Sequence, residues 1–237
     1  MSEFTVIPAI DLKGGQCVRL KQGRADDATV YSGDPVAMAR HWEAGGARWL
    51  HVVDLDGAFE GRPVHTDIIG HIADAISIPV EAGGGLRTDD DIVRLLDTGV
   101  QRVILGTRAW SDPGVVGRLV DRFEDAIAIG IDARDGRVQV RGWTETTDEY
   151  ATELACRMDD AGVATIIYTD TARDGMLTGV NADAVRAMCE TVSCGVIASG
   201  GVGSADDIRA LRALNCPNLA GVIVGKALYE GRIDLHP

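Results

Sequence analysis

Short apolar runs of four to six residues alternate along the chain with longer segments in which apolar residues recur every three or four positions. The short runs predict buried strands, and the longer segments predict amphipathic helices. The predicted strands span residues 5–10, 49–53, 78–82, 102–105, 126–131, 165–169, 195–198 and 220–224. The predicted helices that fall between them include residues 35–44, 88–96, 112–123, 148–161, 181–190 and 204–214.

This alternation predicts the fold class. Strand and helix alternate eight times, which is typical of a parallel sheet, and eight strands are the number that closes into an α/β fold of the (β/α)8 TIM barrel type. A chain of 237 residues suits one such barrel, which typically has roughly 250 residues. Because no Pro- or Ser-rich linker divides the chain, we expect a single domain over residues 1–237.

The sequence also repeats itself. Residues 80–92, VEAGGGLRTDDDI, match residues 196–208, VIASGGVGSADDI, at an offset of 116. Three further pairs of segments match in the same order, with small differences in spacing: residues 9–11 with 130–132, 50–54 with 166–170, and 103–106 with 222–225. Four matches in register predict two homologous half-barrels, with bounds near residues 1–122 and 123–237.

The repeated positions carry the residue types of a phosphate site. Active sites of such barrels lie at the C-terminal ends of the strands, where Gly83-Gly84-Gly85 and Gly200-Gly201 each follow a strand and precede a helix. Glycine lets the backbone approach a ligand and point its N–H groups at an anion. Gly106-Thr107 and Gly225-Lys226 follow the neighbouring strands. These positions predict one phosphate site per half and a ligand with two phosphates, although any single motif is also typical of a tight turn.

Two matched acidic residues suggest the chemistry. Asp11 follows the first predicted strand and Asp132 follows the fifth, and these strands face each other across an eight-stranded barrel. The carboxyl groups would flank a ligand stretched between the two phosphate sites, so that one withdraws a proton while the other donates one. The alternative is that each aspartate binds the backbone of the loop that follows it.

Composition narrows the classes of function. A net charge of −13 argues against nucleic acid as a partner, but it does not exclude a small anionic ligand bound by backbone amides. The sequence has neither an apolar run of ~18 residues nor a secretory leader, so we expect a cytoplasmic protein without a membrane partner. Five widely spaced cysteines without a Cys-x-x-Cys pair are interpreted as reduced thiols, and we expect no metal site.

Nearly the whole chain also resembles one family. The motifs that carry the resemblance are PAIDLKGG at 8–15, VRL at 18–20, LHVVDL at 50–55, GGGLR at 83–87, GW at 142–143, TDTARDG at 169–175, ASGG at 198–201 and VIVGKA at 222–227. In combination they are similar to the HisA family. Its members are phosphoribosylformimino-5-aminoimidazole carboxamide ribotide isomerases (ProFAR isomerases), which are aldose–ketose isomerases of histidine biosynthesis.

The resemblance implies an Amadori rearrangement that needs no metal and no organic cofactor, carried out by a monomer. Asp11 matches the family's general base, which moves the proton from sugar C2′, and Asp132 matches the general acid that opens the furanose ring. The family's substrate carries a phosphate on each of two riboses, in agreement with the ligand predicted from the repeat.

The resemblance also assigns binding residues. One phosphate would be held by Gly84, Gly85, Arg87, Gly106 and Thr107, and the other by Gly175, Gly200, Gly201, Gly225 and Lys226. Arg19, His51 and Trp143 match positions that contact the substrate, with the Trp143 ring stacking on the imidazole carboxamide. Thr169 and Asp174 match polar positions beside the catalytic acid. Without the family position, His51 would be interpreted as a core histidine.

Two features depart from the family pattern. The sequence given stops at residue 237, soon after the last strand, which predicts an incomplete final helical layer. Arg141, next to Gly142 and Trp143, matches an arginine of dual-substrate relatives that also isomerise phosphoribosylanthranilate; those relatives have serine where this chain has Gly83, which favours a single substrate. Two further candidates are HisF, the sister cyclase that takes ammonia from a glutaminase, and a non-catalytic barrel that binds a sugar phosphate.

Overall fold

The structure is a computed structural model that describes residues 4–21 and 24–235. The strands of this part of the chain are β1 (Thr5–Lys13), β2 (Gln16–Lys21), β3 (Arg24–Ser32), β4 (Leu50–Asp54), β5 (Val80–Gly83), β6 (Arg102–Leu105), β7 (Ile127–Arg134), β8 (Arg137–Val140), β9 (Glu145–Tyr150), β10 (Thr165–Asp170), β11 (Gly195–Ser199) and β12 (Leu219–Val224). The helices are α1 (Pro35–Ala44), α2 (Leu55–Glu60), α3 (Thr66–Ala75), α4 (Asp89–Leu96), α5 (Thr107–Ser111), α6 (Pro113–Phe123), α7 (Ala151–Asp160), α8 (Ala182–Thr191), α9 (Ala205–Arg212) and α10 (Lys226–Tyr229), with a 3-10 turn at Glu124–Ala126.

Eight of these strands close into a parallel barrel. The order around the barrel is β1, β4, β5, β6, β7, β10, β11 and β12, and β12 pairs again with β1 to complete the ring. Helices follow the barrel strands along the chain and cover the outside of the sheet. The predicted (β/α)8 TIM barrel is therefore confirmed.

Alternation along the strands separates an outer core from the barrel interior. The larger apolar cluster packs the outer face of the sheet against the helices, and includes Ile10, Leu50 and Val103, each fully buried. A smaller cluster that contains Ile7 and Ile167 fills the interior. Successive side chains of a strand point to opposite faces, so every second position along a barrel strand is available to the interior and its mouth.

The predicted elements agree with the observed ones to within a few residues, with one clear exception. Residues 102–105 and 35–44 match β6 and α1 at both ends. The prediction of a helix over 148–161 is wrong at its start, because residues 148–150 belong to β9 and α7 begins at Ala151. Tyr150 pairs with Arg137 of β8, and this contact across the hairpin overrides the local helical pattern.

The antiparallel strands β2, β3, β8 and β9 were not predicted; β3 pairs with β2 and β9 with β8. Two hairpins join them to barrel strands. β1 continues past the barrel into β2, and β7 continues into β8, through two-residue turns at Gly14-Gly15 and Asp135-Gly136. All four turn residues have positive φ, between 52° and 77°, which is the geometry that Gly-Gly and Asp-Gly turns favour. Those dipeptides were visible signals for both hairpins.

The two halves of the barrel share local geometry as well as sequence. Gly106 and Gly225 begin short helices with nearly identical backbone angles, φ/ψ of −106°/−94° and −106°/−97°. Thr88 and Ser204 both form capping boxes at the starts of α4 and α9. The division of the domain into halves near residue 122 remains a prediction.

Three further observations concern the described residues as a whole. All five cysteines lie within the described residues and are free thiols. The helix that follows the last barrel strand is α10, which has only four residues. None of the helices in residues 4–21 and 24–235 is long and apolar enough to cross a membrane.

Candidate active site

A cavity of about 210 Å³ opens where the barrel strands end. It brings together twelve of the predicted site residues: Asp11, Arg19, His51, Gly84, Gly85, Arg87, Gly106, Thr107, Asp132, Trp143, Thr169 and Asp174. Five predicted phosphate-binding residues do not line it: Gly175, Gly200, Gly201, Gly225 and Lys226. Small interior residues at positions 9, 83 and 130 leave the space that the cavity occupies.

Glycine is required in the first phosphate loop by packing. A side chain at Gly84 would collide with the backbone carbonyl of Asp54, and a Cβ at Gly85 would lie 2.6 Å from the carbonyl oxygen of Gly57. Both glycines have positive φ, 121° and 75°. The loop is thus held against the chain that follows β4, so its backbone stays fixed beside the cavity.

Two arginines lie beside this loop. Arg87 and Arg141 both line the cavity, and burial followed by repulsion from Arg141 lowers the pKa of Arg87. The hydroxyl of Thr107 accepts a hydrogen bond of 2.9 Å from the Arg141 backbone N–H. The guanidinium of Arg141 also lies 3.3 Å from the Glu145 carboxylate. The two guanidinium groups and the glycine loop form a place that favours an anion.

The residues of the second predicted phosphate-binding site lie around α10. The Lys226 ammonium lies 3.4 Å from the carbonyl oxygen of Gly175 and 3.8 Å from Glu230. A Cβ at Gly200 would lie 2.6 Å from the carbonyl oxygen of Asp170, so this glycine packs on the previous barrel strand. Gly225 lies directly beneath the guanidinium of Arg19, which connects this group to the cavity.

Arg19 joins two carboxylates at the mouth of the barrel. It projects from β2, and its Nη1 lies 2.8 Å from Asp11 Oδ2 while its Nη2 lies 3.9 Å from Asp174 Oδ1. Burial disfavours the charged guanidinium, but Asp11 and then Asp174 outweigh burial and raise the pKa of Arg19. The predicted base, Asp11, is therefore held by an ion pair that comes from the hairpin.

Asp132 has an environment unlike that of Asp11. It lies in β7 beside Thr169 of β10, and burial raises the pKa of its carboxyl group. Contacts with Trp143 and Thr169 offset only part of this effect. A raised pKa favours the protonated acid, which is the form that a proton donor needs.

Asp174 is a third carboxyl group at the same place. Burial raises its pKa, the nearby charge of Arg19 lowers it, and repulsion from Asp11 and Asp132 raises it again, which leaves a value of about 6. Sequence analysis gave Asp174 only a supporting role. In the structure it is a group that titrates near neutral pH within reach of both predicted catalytic residues.

The loop that carries Trp143 has an unusual backbone. Arg141, Gly142 and Trp143 have consecutive positive φ values of 54°, 64° and 68°. Gly142 packs on Phe59, whose ring would lie 3.0 Å from a Cβ at position 142. Non-glycine residues rarely adopt such angles. The contact of Gly142 with Phe59 and the hydrogen bond from the Arg141 N–H to Thr107 stabilise this conformation.

The described residues contain no group of three or more His, Cys, Asp or Glu side chains that could hold a metal ion.

Comparison with known proteins places this geometry in a family. The chain matches the family described as "Histidine biosynthesis protein" over residues 5–234. A protein of Acidiphilium cryptum named 1-(5-phosphoribosyl)-5-((5-phosphoribosylamino)methylideneamino) imidazole-4-carboxamide isomerase, or ProFAR isomerase, is 53% identical over 233 residues, which cover 98% of this chain and 95% of that protein. The chain belongs to the ProFAR isomerase family.

Other relatives of the same name are equally similar. The protein of Synechococcus elongatus is 54% identical over 98% of this chain and 90% of its own length. The protein of Pelotomaculum thermopropionicum is 50% identical over 97% of this chain and 89% of its own length. Family membership makes the chain an isomerase of histidine biosynthesis.

Sequence analysis did not single out several residues that the family's fold brings to the site. Gln139 and Ser199 line the cavity, and Glu81 lies behind His51. The signal for Glu81 was a charged residue in the buried strand VEAG, and the Asp135-Gly136 turn was the signal that β8 brings Gln139 to the mouth. Ser199 had no local signal beyond its place at a strand end.

Proposed function

We propose that the chain converts ProFAR into its aminoketose isomer by an Amadori rearrangement. The observation that carries this proposal is the meeting of Asp11 and Asp132, one ion-paired and one half-buried with a raised pKa, in a single cavity at the mouth of the barrel. Relatives that are 50–54% identical over nearly the full chain are named for this reaction.

The two carboxyl groups divide the chemistry. Asp132, protonated, donates its proton to the ring oxygen of the aminoaldose as the bond from that oxygen to C1′ breaks and the nitrogen forms an iminium ion. Asp11, as a carboxylate, withdraws the proton from C2′, which gives an enolamine. Return of a proton to C1′ and loss of the enol hydroxyl proton give the ketone and restore both carboxyl groups, so no cofactor is needed.

Asp174 is a second candidate for the acid. Because its pKa is about 6, part of the Asp174 carboxyl population remains protonated near neutral pH. Asp174 also interacts electrostatically with Asp11 and Asp132. We assign the acid role to Asp132 because it lies in β7, the barrel strand opposite β1. Comparison of Asp174→Asn with Asp132→Asn tests whether Asp174 is the acid instead.

Two sets of residues would bind the phosphates. Near the cavity, one phosphate would be held by Gly84, Gly85, Arg87, Gly106 and Thr107, where Arg87 and Arg141 supply positive charge. Beside α10, the other would be held by Gly175, Gly200, Gly201, Gly225 and Lys226. The Trp143 ring, at the cavity wall, would stack on the imidazole carboxamide.

One observation favours a second substrate. Arg141 lines the cavity beside Arg87, and its guanidinium is largely exposed, with 68% of the side chain accessible. Such a group could bind the carboxylate of phosphoribosylanthranilate. The presence of Gly83 where dual-substrate relatives have serine favours a single substrate, so we keep the dual-substrate enzyme as the alternative.

The test is turnover of the purified protein on ProFAR and on phosphoribosylanthranilate in separate reactions. We expect activity on ProFAR alone. Activity on both would make the chain a dual-substrate enzyme and give Arg141 a direct role. Activity on neither, in a folded protein that binds the substrate, would favour a non-catalytic barrel, and capture of a glutaminase subunit would favour the cyclase. We also expect a cytoplasmic monomer.

A further inference from the structure

A buried carboxylate lies behind the cavity, where the proposed mechanism does not use it. Glu81, in β5, has no exposed surface and is flanked in strand register by His51 on β4 and Arg102 on β6. One carboxylate oxygen lies 2.7 Å from His51 Nδ1. The other lies 2.7 Å from Arg102 Nε and 2.6 Å from its Nη2.

Arg102, on the side of Glu81 opposite His51, keeps the Glu81 carboxylate charged. Arg102 donates a hydrogen bond of 3.1 Å to Thr165 across the barrel, and its guanidinium lies 4.3 Å from the centre of the Trp49 ring. Burial acts to raise the pKa of Glu81, but the hydrogen bond from His51 and the charge of Arg102 outweigh burial and lower the pKa. Both carboxylate oxygens are therefore acceptors in a paired, desolvated setting.

A carboxylate can only accept hydrogen bonds, so the proton in the contact with His51 must be on Nδ1. The neutral imidazole then has a bare Nε2. His51 lines the same cavity as Asp132 and Asp174, so its ring faces the space in which the substrate would bind. An acceptor at this position suits a donor such as a sugar hydroxyl.

We propose that Glu81 is a positioning residue that fixes the orientation and tautomer of His51, so that Nε2 presents a lone pair to a hydroxyl of the bound substrate. The identity of that hydroxyl rests on the proposed function, whereas the tautomer of His51 does not. A purely structural role, in which Glu81 only joins β4 to β6, predicts no particular dependence of turnover on His51.

The first experiment reads the tautomer without turnover. Nitrogen-15 NMR of the histidine-labelled, ligand-free protein at about pH 8, where an ordinary imidazole is neutral, is expected to show His51 protonated on Nδ1. The signal is assigned among the five histidines by its loss in His51→Asn. In Glu81→Gln, Arg102 retains the amide oxygen, so the amide NH2 faces Nδ1 and the proton moves to Nε2. A wild-type proton on Nε2 would overturn the proposal.

The second experiment uses kinetics and a matched control. Glu81→Gln should lower kcat by about 10- to 100-fold, by analogy with the loss of a carboxylate that orients a metal-bound histidine. It should cause no further loss in a His51→Asn background. Thr165→Val removes the other end of the network without touching His51 and should leave kcat unchanged.

The outcomes separate this proposal from the proposed function. Equal loss of kcat in Glu81→Gln and Thr165→Val, or additive losses in the double variant with His51→Asn, would show a structural role and overturn the positioning role. If the protein turns over no ProFAR at all, the proposed function fails while the wild-type NMR spectrum still decides the tautomer. The same spectrum decides it if Glu81→Gln does not fold.

Discussion

Three carboxyl groups share the mouth of the barrel, and their surroundings set them apart. Asp11 is paired with Arg19, Asp132 is half-buried beside Thr169, and Asp174 lies among like charges. Neighbouring groups that differ in this way can hold different protonation states at one pH, which is what acid and base catalysis by two aspartates requires.

Asp11→Asn and Asp132→Asn should each lower kcat by about 100- to 10,000-fold, since each removes one proton-transfer group. Substrate affinity should change little because the residues of both proposed phosphate-binding sites are unchanged. Steady-state kinetics with ProFAR measures both, with the exposed Asp67→Asn on α3 as the control. Loss of binding in both variants with normal turnover at saturation would refute the roles, and a larger loss in Asp174→Asn than in Asp132→Asn would transfer the acid role to Asp174.

The raised pKa of Asp174 predicts a dependence of stability on pH. The folded protein keeps the proton up to a pH of about 6, whereas the unfolded chain loses it near 3.8, so the stability that this group contributes is present below 3.8 and is lost as the pH rises through 6. Asparagine stays neutral throughout. The free energy of unfolding of Asp174→Asn relative to wild type should therefore rise with pH over this window, by about 3 kcal/mol at most.

Denaturant unfolding at several pH values between these limits measures this difference. Parallel curves for the two proteins would show that Asp174 does not titrate there.

At the scale of elements, hairpins and glycine loops shape the mouth. The β1–β2 hairpin brings Arg19 over the cavity, and the β7–β8 hairpin brings Gln139 and Arg141. Glycine is required in the loops that follow β5 and β11 because the adjacent barrel strands, β4 and β10, leave no room for a Cβ. Two kinds of unit therefore recur around the mouth. One is a barrel strand that continues into a hairpin, and the other is a barrel strand followed by a glycine loop.

Gly200→Ala should destabilise the protein by about 2 kcal/mol, since the residue has a φ of 92° and a Cβ would lie 2.6 Å from the Asp170 carbonyl oxygen. Gly117→Ala is the matched control. This glycine lies within α6 with nothing near the added Cβ, so alanine should stabilise by about 0.5–1 kcal/mol. Thermal or denaturant unfolding measures the sign of the stability change in each variant. Equal stability changes in the two variants would contradict this account.

At the scale of the whole molecule, the ring of eight strands leaves no open edge in the barrel, and the surface is acidic. The described residues expose few large apolar side chains: Val30, Phe59, Val64 and Tyr150. Phe59 lies at the cavity wall. A net charge of −13 further opposes association between copies.

These features predict a monomer in solution. Light scattering coupled to size exclusion should give a mass near 25.1 kDa across protein concentrations. A mass near twice that value, stable on dilution, would contradict the expectation and place an interface on one of the exposed apolar residues.

The sequence by itself determined the barrel, its doubled motifs and the strand-end positions of Asp11 and Asp132, because burial imposes a local period on each strand and helix and because glycine is required where no Cβ fits. Tertiary structure decided the rest. The start of α7 at Ala151, the ion pair between Arg19 and Asp11, and the placement of Glu81 behind His51 all depend on which strands become neighbours and in what register. Those contacts join residues far apart in the chain, and no local pattern encodes them.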